Sequence, residues 1–358
     1  MIGLRKLGTL IVGLALLTAL LPGTASAGPP VSTRRFAGAD RYETARRIAE
    51  ATFAESSRGD VTIVRGDLFP DALAVSVLAG HYNPGPILLT ERDRLPADTI
   101  AELNRRAPYV HIFLIGDTEA ISAGVQADLE ARNIGNVQRI GGPTRYHTAS
   151  RIAGTAPDDV SRTAFVVSGE GFADGMAAGA WAYRPYGGRY VLLTPRDSLH
   201  AETRQTLLER RITEVLLLGG TDVISATVEA QLRAVCSDEP ERYPTGCLQV
   251  TRIAGRTRAE TATLLADYMG SQPGAEPVTH VNLARGDTFP DALAGAPHAG
   301  FAEEAPILFT ENPTKLGDAT REWLEAHAAT IQSIDIFGDQ QAISDAVVEE
   351  AREAASLP

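Results

Sequence analysis

Two aspartates, Asp67 and Asp71, stand four residues apart in the stretch RGDLFPDALA, residues 65–74. A carboxylate pair at a strand end could supply the acid and base of a glycan hydrolase. The stretch also opens on Arg-Gly-Asp, the tripeptide that cell-adhesion receptors read. Both chemistries have to be squared with repetition, because RGDTFPDALA recurs at residues 285–294 and SGEGFADGMA at 168–177. A phrase used three times is architecture before it is a site. The middle copy writes Ser168-Gly169-Glu170 in place of Arg-Gly-Asp and keeps the rest of its pattern, which counts against an adhesion loop. An acid near a helix start is also ordinary capping chemistry, which weakens the carboxylate-pair reading.

Shared chemistry can therefore be sought only in positions that recur. Arg35, Arg139 and Arg252 form one column, and Arg41, Arg145 and Arg258 a second. Asp71, Asp174 and Asp291 form a third, and Thr44, Thr148 and Thr261 a fourth. Arg65 and Arg285 open the turn in two of the three copies. The second-column arginines follow a helix N-cap, where the helix dipole disfavours a cation, so each needs a compensating partner. That partner is either an aspartate of the third column or an anionic group on a ligand (carboxylate, phosphate or pyruvyl) gripped by the guanidinium fork. The arginine and aspartate columns, with Arg65 and Arg285, are the candidate ligand-binding set.

Other chemistries lack their residues. No histidine column spans all three copies, and no pair has ligand spacing on a helix, so no metal site is expected. The glycines at 169, 171 and 175 miss the dinucleotide fingerprint, and the only lysines are Lys6 and Lys315, so no P-loop exists. No G-x-S-x-G elbow occurs. No cofactor and no enzymatic activity are expected; the alternative is a modifier or hydrolase of wall glycan working through strand-end carboxylates.

The elements that would position these columns alternate. Short apolar runs such as VTIV, PILLT and VHIFLIG do not alternate polar with apolar, which suits strands buried on both faces. Helical spacing places Ala45, Ile48, Ala49, Thr52 and Phe53 on one face, and TIAELNRRA and VQADLEAR carry the same period. Asp40 with Glu43, and Thr257 with Glu260, predict capping boxes. FPDALA is expected to start a helix with proline in its first turn. Strand, helix, strand, helix is the order of a parallel sheet with crossover helices. The fold class is therefore α/β, as three tandem Rossmann-like modules. Their sequence units are residues 34–137, 138–250 and 251–358, with starting arginines 104 and then 113 residues apart. The longer period contains Cys236 and Cys247, which read as a disulfide closing an inserted polar loop.

The chain ends and its charge bound the setting. Arg5 and Lys6 precede an apolar run from Leu7 to Leu21, and Ala25-Ser26-Ala27 offers a cleavage site, so residues 1–27 read as a secretory signal. No later segment is apolar enough to span a bilayer. The net charge of −12 argues against nucleic acid as a partner.

Together, R-[FI]-x-G-x-x-R-[YA]-x-T-A, G-D-x-F-P-D-A-L-A, P-I-L-[LF]-T and G-[DG]-x-x-x-I-S resemble the type 2 cell-wall-binding repeats of Gram-positive bacteria over residues 34 to 352. The resemblance implies three modules packed as an intramolecular pseudo-trimer, secretion to the cell wall or surface, and non-covalent attachment to an anionic secondary wall polymer. Proteins of this kind often carry a passenger domain; since the three units tile nearly all of the sequence after residue 27, none is expected here. The family's I-L-L signature matches Ile87-Leu88-Leu89, which reads as a buried strand acting indirectly. Charge differs by unit: −3, −1 and −10 in order. A polyanion should thus prefer units one and two, or the seams, with Arg35, Arg41, Arg139 and Arg145 carrying most of the affinity.

Overall fold

The computed structural model of the chain describes residues 30–55, 58–80, 83–156, 161–184, 188–236, 246–302 and 304–356. The expected signal segment, residues 1–27, lies outside them. Among the described residues no helix is long and apolar enough to cross a membrane. The strands are β1 (Ser32–Phe36), β2 (Val61–Arg65), β3 (Ile87–Thr90), β4 (His111–Ile115), β5 (Asn136–Ile140) and β6 (Thr163–Ser168). They continue with β7 (Tyr190–Thr194), β8 (Glu214–Leu218), β9 (Gln249–Ile253), β10 (His280–Arg285), β11 (Ile307–Thr310) and β12 (Ser333–Phe337).

These strands build three four-stranded sheets, ordered β3-β2-β4-β5, β7-β6-β8-β9 and β11-β10-β12-β1, and every pairing is parallel. Helices cover both faces, which is why the inner strands read as unbroken apolar runs. Ile87, Leu88 and Leu89 are each at most 1% exposed, so this strand works through packing rather than direct contact. The sheets run one strand out of step with the sequence copies. β5 opens the second copy yet pairs with β4 of the first, and β9 opens the third yet pairs with β8. β1, the first strand of the chain, pairs with β12 of the last unit, with Arg35 beside Ile336. The ring of three sheets is thereby closed by the chain's own beginning.

Local signals account for most of the helices. Helix Arg41–Thr52 buries Thr44, Ala45, Ile48 and Ala49. Asp40 caps it, its carboxylate accepting from the Tyr42 and Glu43 amides at 2.8 and 2.9 Å. Glu43 reaches back to the amide of Ala39 at 2.8 Å, one residue before the cap, and Glu260 does the same to Arg256 at 2.7 Å. Both boxes therefore form, displaced by one residue from the standard pattern. The phrase starts a helix at once in units two and three, as Ala173–Ala177 and as Pro290–Pro297 with proline at its start. In unit one residues 70–75 are turns, and the helix begins later as Ser76–Gly80. Val75 stands there where the other units have Ala178 and Gly295, and a β-branched side chain resists the helical turn.

The three units meet on a pseudo-threefold axis. Phe69, Phe172 and Phe289, one from each copy of the repeated phrase, form a triangle with centroid separations of 5.6, 6.2 and 6.0 Å. Such aromatic pairs contribute about 1 kcal/mol each beyond their buried area. Just before the start of β3, the carbonyl of Gly85 in unit one accepts at 2.9 Å from the hydroxyl of Tyr183, which is fully buried. A Cβ at Gly80 would come within 2.3 Å of the Tyr183 carbonyl oxygen, so glycine is what permits this approach. A Cys236–Cys247 disulfide is present, as expected from the spacing.

Candidate functional site

The first arginine column lies on the borrowed strands and is used inside the protein. Arg139 on β5 donates Nη1 to the carbonyls of Gly116, Asp117 and Ile121 at 2.9–3.0 Å, Nη2 to Ser122 at 3.2 Å, and Nε to the Gln126 side chain at 2.8 Å. Arg252 and Arg35 repeat the arrangement on Gly219 and Gly338, and each adds a carboxylate, Glu229 at 2.7 Å and Asp345 at 3.0 Å. The glycine in each of these turns has positive φ: Gly116 at +107°, Gly219 at +108° and Gly338 at +114°. That conformation turns its carbonyl toward the guanidinium. Burial also lowers the pKa of Arg139. These three arginines clamp the turn at the end of β4, β8 and β12, so Arg35 and Arg139 have a structural task that the sequence expectation did not foresee.

Arg65 and Arg285 are likewise spoken for. Arg65 forms a two-pronged pair with Asp67 at 2.6 and 2.9 Å, and Arg285 with Asp287 at 2.6 and 2.7 Å. The Arg-Gly-Asp tripeptide closes on itself instead of presenting its charges separately. In the middle copy the Ser168 hydroxyl accepts from the Glu170 amide at 3.1 Å and holds the same turn without ions. The pairing with Arg65 keeps Asp67 below the usual carboxylate range. The charges felt by Asp71 are those of Asp117 and Arg145, not that of Asp67, so the two carboxyls are not assembled as an acid–base pair.

The second arginine column is differently placed. Arg41, Arg145 and Arg258 begin the helices Arg41–Thr52, Arg145–Thr155 and Arg258–Gly270. Each donates Nη1 to the carbonyl of the turn glycine: Arg41 to Gly66 at 2.5 Å, Arg145 to Gly169 and Arg258 to Gly286. Among the described residues none of the three makes an ion pair within 4 Å. Arg145 lies 5.8 Å from the Phe69 ring centroid and Arg258 5.6 Å from that of Phe172, each reaching the preceding unit's phenylalanine. Arg41 and Arg258 are exposed and Arg145 is half-buried. The partner required at each helix N-terminus is thus one backbone carbonyl, which leaves the outer edge of each fork unbonded.

The aspartate column sits in the seams between units. Asp71 faces Thr148 of the next unit and Asp174 faces Thr261, and each hydroxyl offsets part of the rise that burial gives the carboxyl's pKa. Thr44, Thr148 and Thr261 in turn accept from the amides of Gly38, Gly142 and Gly255 at 3.0–3.1 Å. Burial raises the pKa of all three aspartates, Asp291 to about 6. Each seam holds an open cavity. The first, of about 660 Å³, is lined by Asp71, Asp117, Thr144, Arg145, Tyr146 and Glu170 among others. The second, of about 780 Å³, sets Arg256 and Arg258 among six carboxylates, including Asp174, Asp287 and Asp318. The third, of about 280 Å³, has Arg41 and Arg285 beside Asp40, Asp291 and Asp339. Guanidinium edges beside carboxylates and a tyrosine can bind an anionic group and sugar hydroxyls together. Among the described residues no group of three or more His, Cys, Asp or Glu could hold a metal ion. Tyr146, Asp117 and the axial phenylalanines were missed from sequence, although the repeated Phe of the ten-residue phrase was the available signal.

A family model described as cell wall binding domain 2 (CWB2) matches residues 35–126, 139–229 and 252–348. The chain is 26% identical over 321 residues to N-acetylmuramoyl-L-alanine amidase LytC of Bacillus subtilis (strain 168), covering 90% of this chain and 58% of that protein. It is 30% identical over 279 residues to Amidase enhancer of the same organism, covering 78% of this chain and 35% of that one. Two solved structures, Cwp8 and Cwp6 from Clostridium difficile, superpose with TM-scores of 0.78 and 0.74 at 25% identity. Each match covers 92% of this chain, and 52% and 48% of those proteins respectively. The chain thus spans about half the length of the solved relatives and between 35% and 58% of the curated ones.

Proposed function

The chain belongs to the cell wall binding domain 2 family, and from that premise we propose that it is exported and holds an anionic wall polymer non-covalently through its seams. The observation that carries the proposal is the threefold recurrence of an unpaired guanidinium edge, at Arg41, Arg145 and Arg258, beside a seam cavity. An anionic group of the polymer docks on that edge, while hydroxyls of adjoining sugars bond to carboxylates such as Asp117 and Glu170. A polymer following the ring would meet the same grip three times, and linked weak contacts multiply in strength. The seams are not equivalent. The six carboxylates of the second repel a polyanion, so the first and third carry most of the affinity.

Binding without hydrolysis is favoured over the glycan-hydrolase reading, because Asp67 is committed to Arg65 while Asp71 is buried in the seam against Thr148 of the next unit. The relatives named as amidase and amidase enhancer extend well beyond the region shared with this chain. Incubation with intact and with polymer-stripped cell walls tests both readings. Retention on intact walls alone, with no sugar or peptide released, supports the proposal. Equal retention on stripped walls contradicts the polymer as partner, and released fragments support the hydrolase.

A further inference from the structure

We propose that a fourth cavity, at the opposite end of the strands from the seam sites, takes a single sugar bearing a carboxylate or phosphate on the guanidinium of Arg189. This cavity, of about 280 Å³, lies between units two and three, and its lining includes Trp181, Arg184, Arg189, Pro277, His280 and Glu304. Arg189 immediately precedes β7 and His280 opens β10, whereas Arg285 and Thr310, which line seam cavities, close β10 and β11. Over a six-residue strand such ends are on the order of 15 Å apart, so the two kinds of site are separate.

Arg189 is the observation that asks for a ligand. Its Nε and Nη1 atoms are buried, and no hydrogen-bond partner among the described residues reaches them. Burial lowers its pKa and the like charge of Arg184 adds to the effect, while Glu214 and Tyr268 oppose it from a distance. Glu214 cannot easily turn to it, because its two oxygens already accept from the Tyr268 and Thr163 hydroxyls at 2.8 and 2.9 Å. An unpaired buried guanidinium is costly. The repeated fold does not require one here, since the residues at the same place before β3 and β11 are Gly85 and Ala305. The missing acceptor is therefore supplied from outside. Nε and Nη1 lie on different edges of the planar guanidinium, and each completes with Nη2, which is not among these unpartnered buried atoms, a fork that fits a carboxylate or phosphate. Trp181, Met269 and Pro277 give the cavity an apolar wall for the sugar body, and its volume, at the small end for ligand sites, limits the occupant to one ring. Of the acids on the lining, Glu304 is tied to Arg184 at 2.5 Å and Glu276 lies at the exposed rim.

Trp181 supplies the readout. The chain has two tryptophans, so Trp323→Phe leaves Trp181 as the sole indole reporter. Its fluorescence is titrated with glucuronate, glucose 6-phosphate and neutral glucose. The expected result is a saturable change with at least one of the anions and none with glucose, weakened at least tenfold by Arg189→Met; which anion binds identifies the charged group. Ligand-free Arg189→Met should melt at the same or a higher temperature than its parent, because a buried unpaired charge has been removed. No saturable change with either anion, equal binding by Arg189→Met, or a response to glucose as strong as to the anions overturns the proposal. So does a marked fall in melting temperature, which would give Arg189 a structural task instead.

Discussion

Replacing Asp291 by asparagine should stabilise the protein at neutral pH. The Asp291 carboxyl is pushed up to about 6 by burial at the third seam, with Arg285 and Arg41 opposing the rise and Asp339 adding to it. The ordinary value is 3.8. Because the folded state holds this proton more tightly than the unfolded chain, the group favours folding while protonated. That contribution is complete below about pH 4 and is lost as the pH rises through about 6. The gap corresponds to about 3 kcal/mol, at about 1.4 kcal/mol per pH unit, and residual solvent access to the side chain makes this a ceiling. Asn keeps the volume and removes the charge. Urea unfolding at about pH 7.5 should show the Asn variant more stable by roughly 2 kcal/mol, with the difference shrinking to within about 0.5 kcal/mol near pH 4. An Asn variant that is less stable at pH 7.5, or whose difference from the parent does not vary with pH, would refute the reasoning and mean that Arg41 and Arg285 hold the carboxylate ionised. The same protonation removes a negative charge from the seam, so polymer binding should tighten between pH 7.5 and pH 5.

Arg139→Met should cost about 3 kcal/mol in urea unfolding, since it leaves the carbonyls of Gly116, Asp117 and Ile121 without their shared donor. Its wall binding per folded molecule should be unchanged. Replacing Cys236 and Cys247 by serine should cost roughly 3 kcal/mol in thermal or urea unfolding, given a sequence separation of 11 residues, and should likewise spare wall binding. A double-mutant cycle of Phe69→Ala and Phe289→Ala should return a coupling of about 1 kcal/mol, because the two rings lie 6.2 Å apart across a unit boundary. Additive losses would mean that the axial triangle is not a direct contact.

Much of the fold was legible because each copy repeats the same local instructions. VTIV and PILLT are apolar but for one threonine each and become strands buried on both faces, and Asp40 and Thr257 cap the helices they precede. What stayed hidden was phase and partner. A tandem repeat has no intrinsic starting point, so nothing in RFAGADRYETA says that its first strand pairs with residues 333–337 near the other end of the chain. The arginine columns were visible, but their roles were not. Arg139 is held by backbone carbonyls, which leave no residue-type signature, and Arg145 is held by only one. Arg65 could have been resolved from sequence, because its partner Asp67 lies two residues away. The charge count by unit also misled in part, since the seam cavity richest in carboxylates draws its lining from units two and three together.

The most direct test sets the two arginine columns against each other in binding to purified wall polymer. The triple variant Arg41→Gln, Arg145→Gln, Arg258→Gln should fold, lose most of its affinity at low salt, and lose the salt dependence of what remains. The single clamp variants Arg35→Gln, Arg139→Gln and Arg252→Gln should bind like the parent wherever they are folded. Undiminished binding by the triple variant, or affinity that falls instead with the clamp residues in folded protein, would contradict the account.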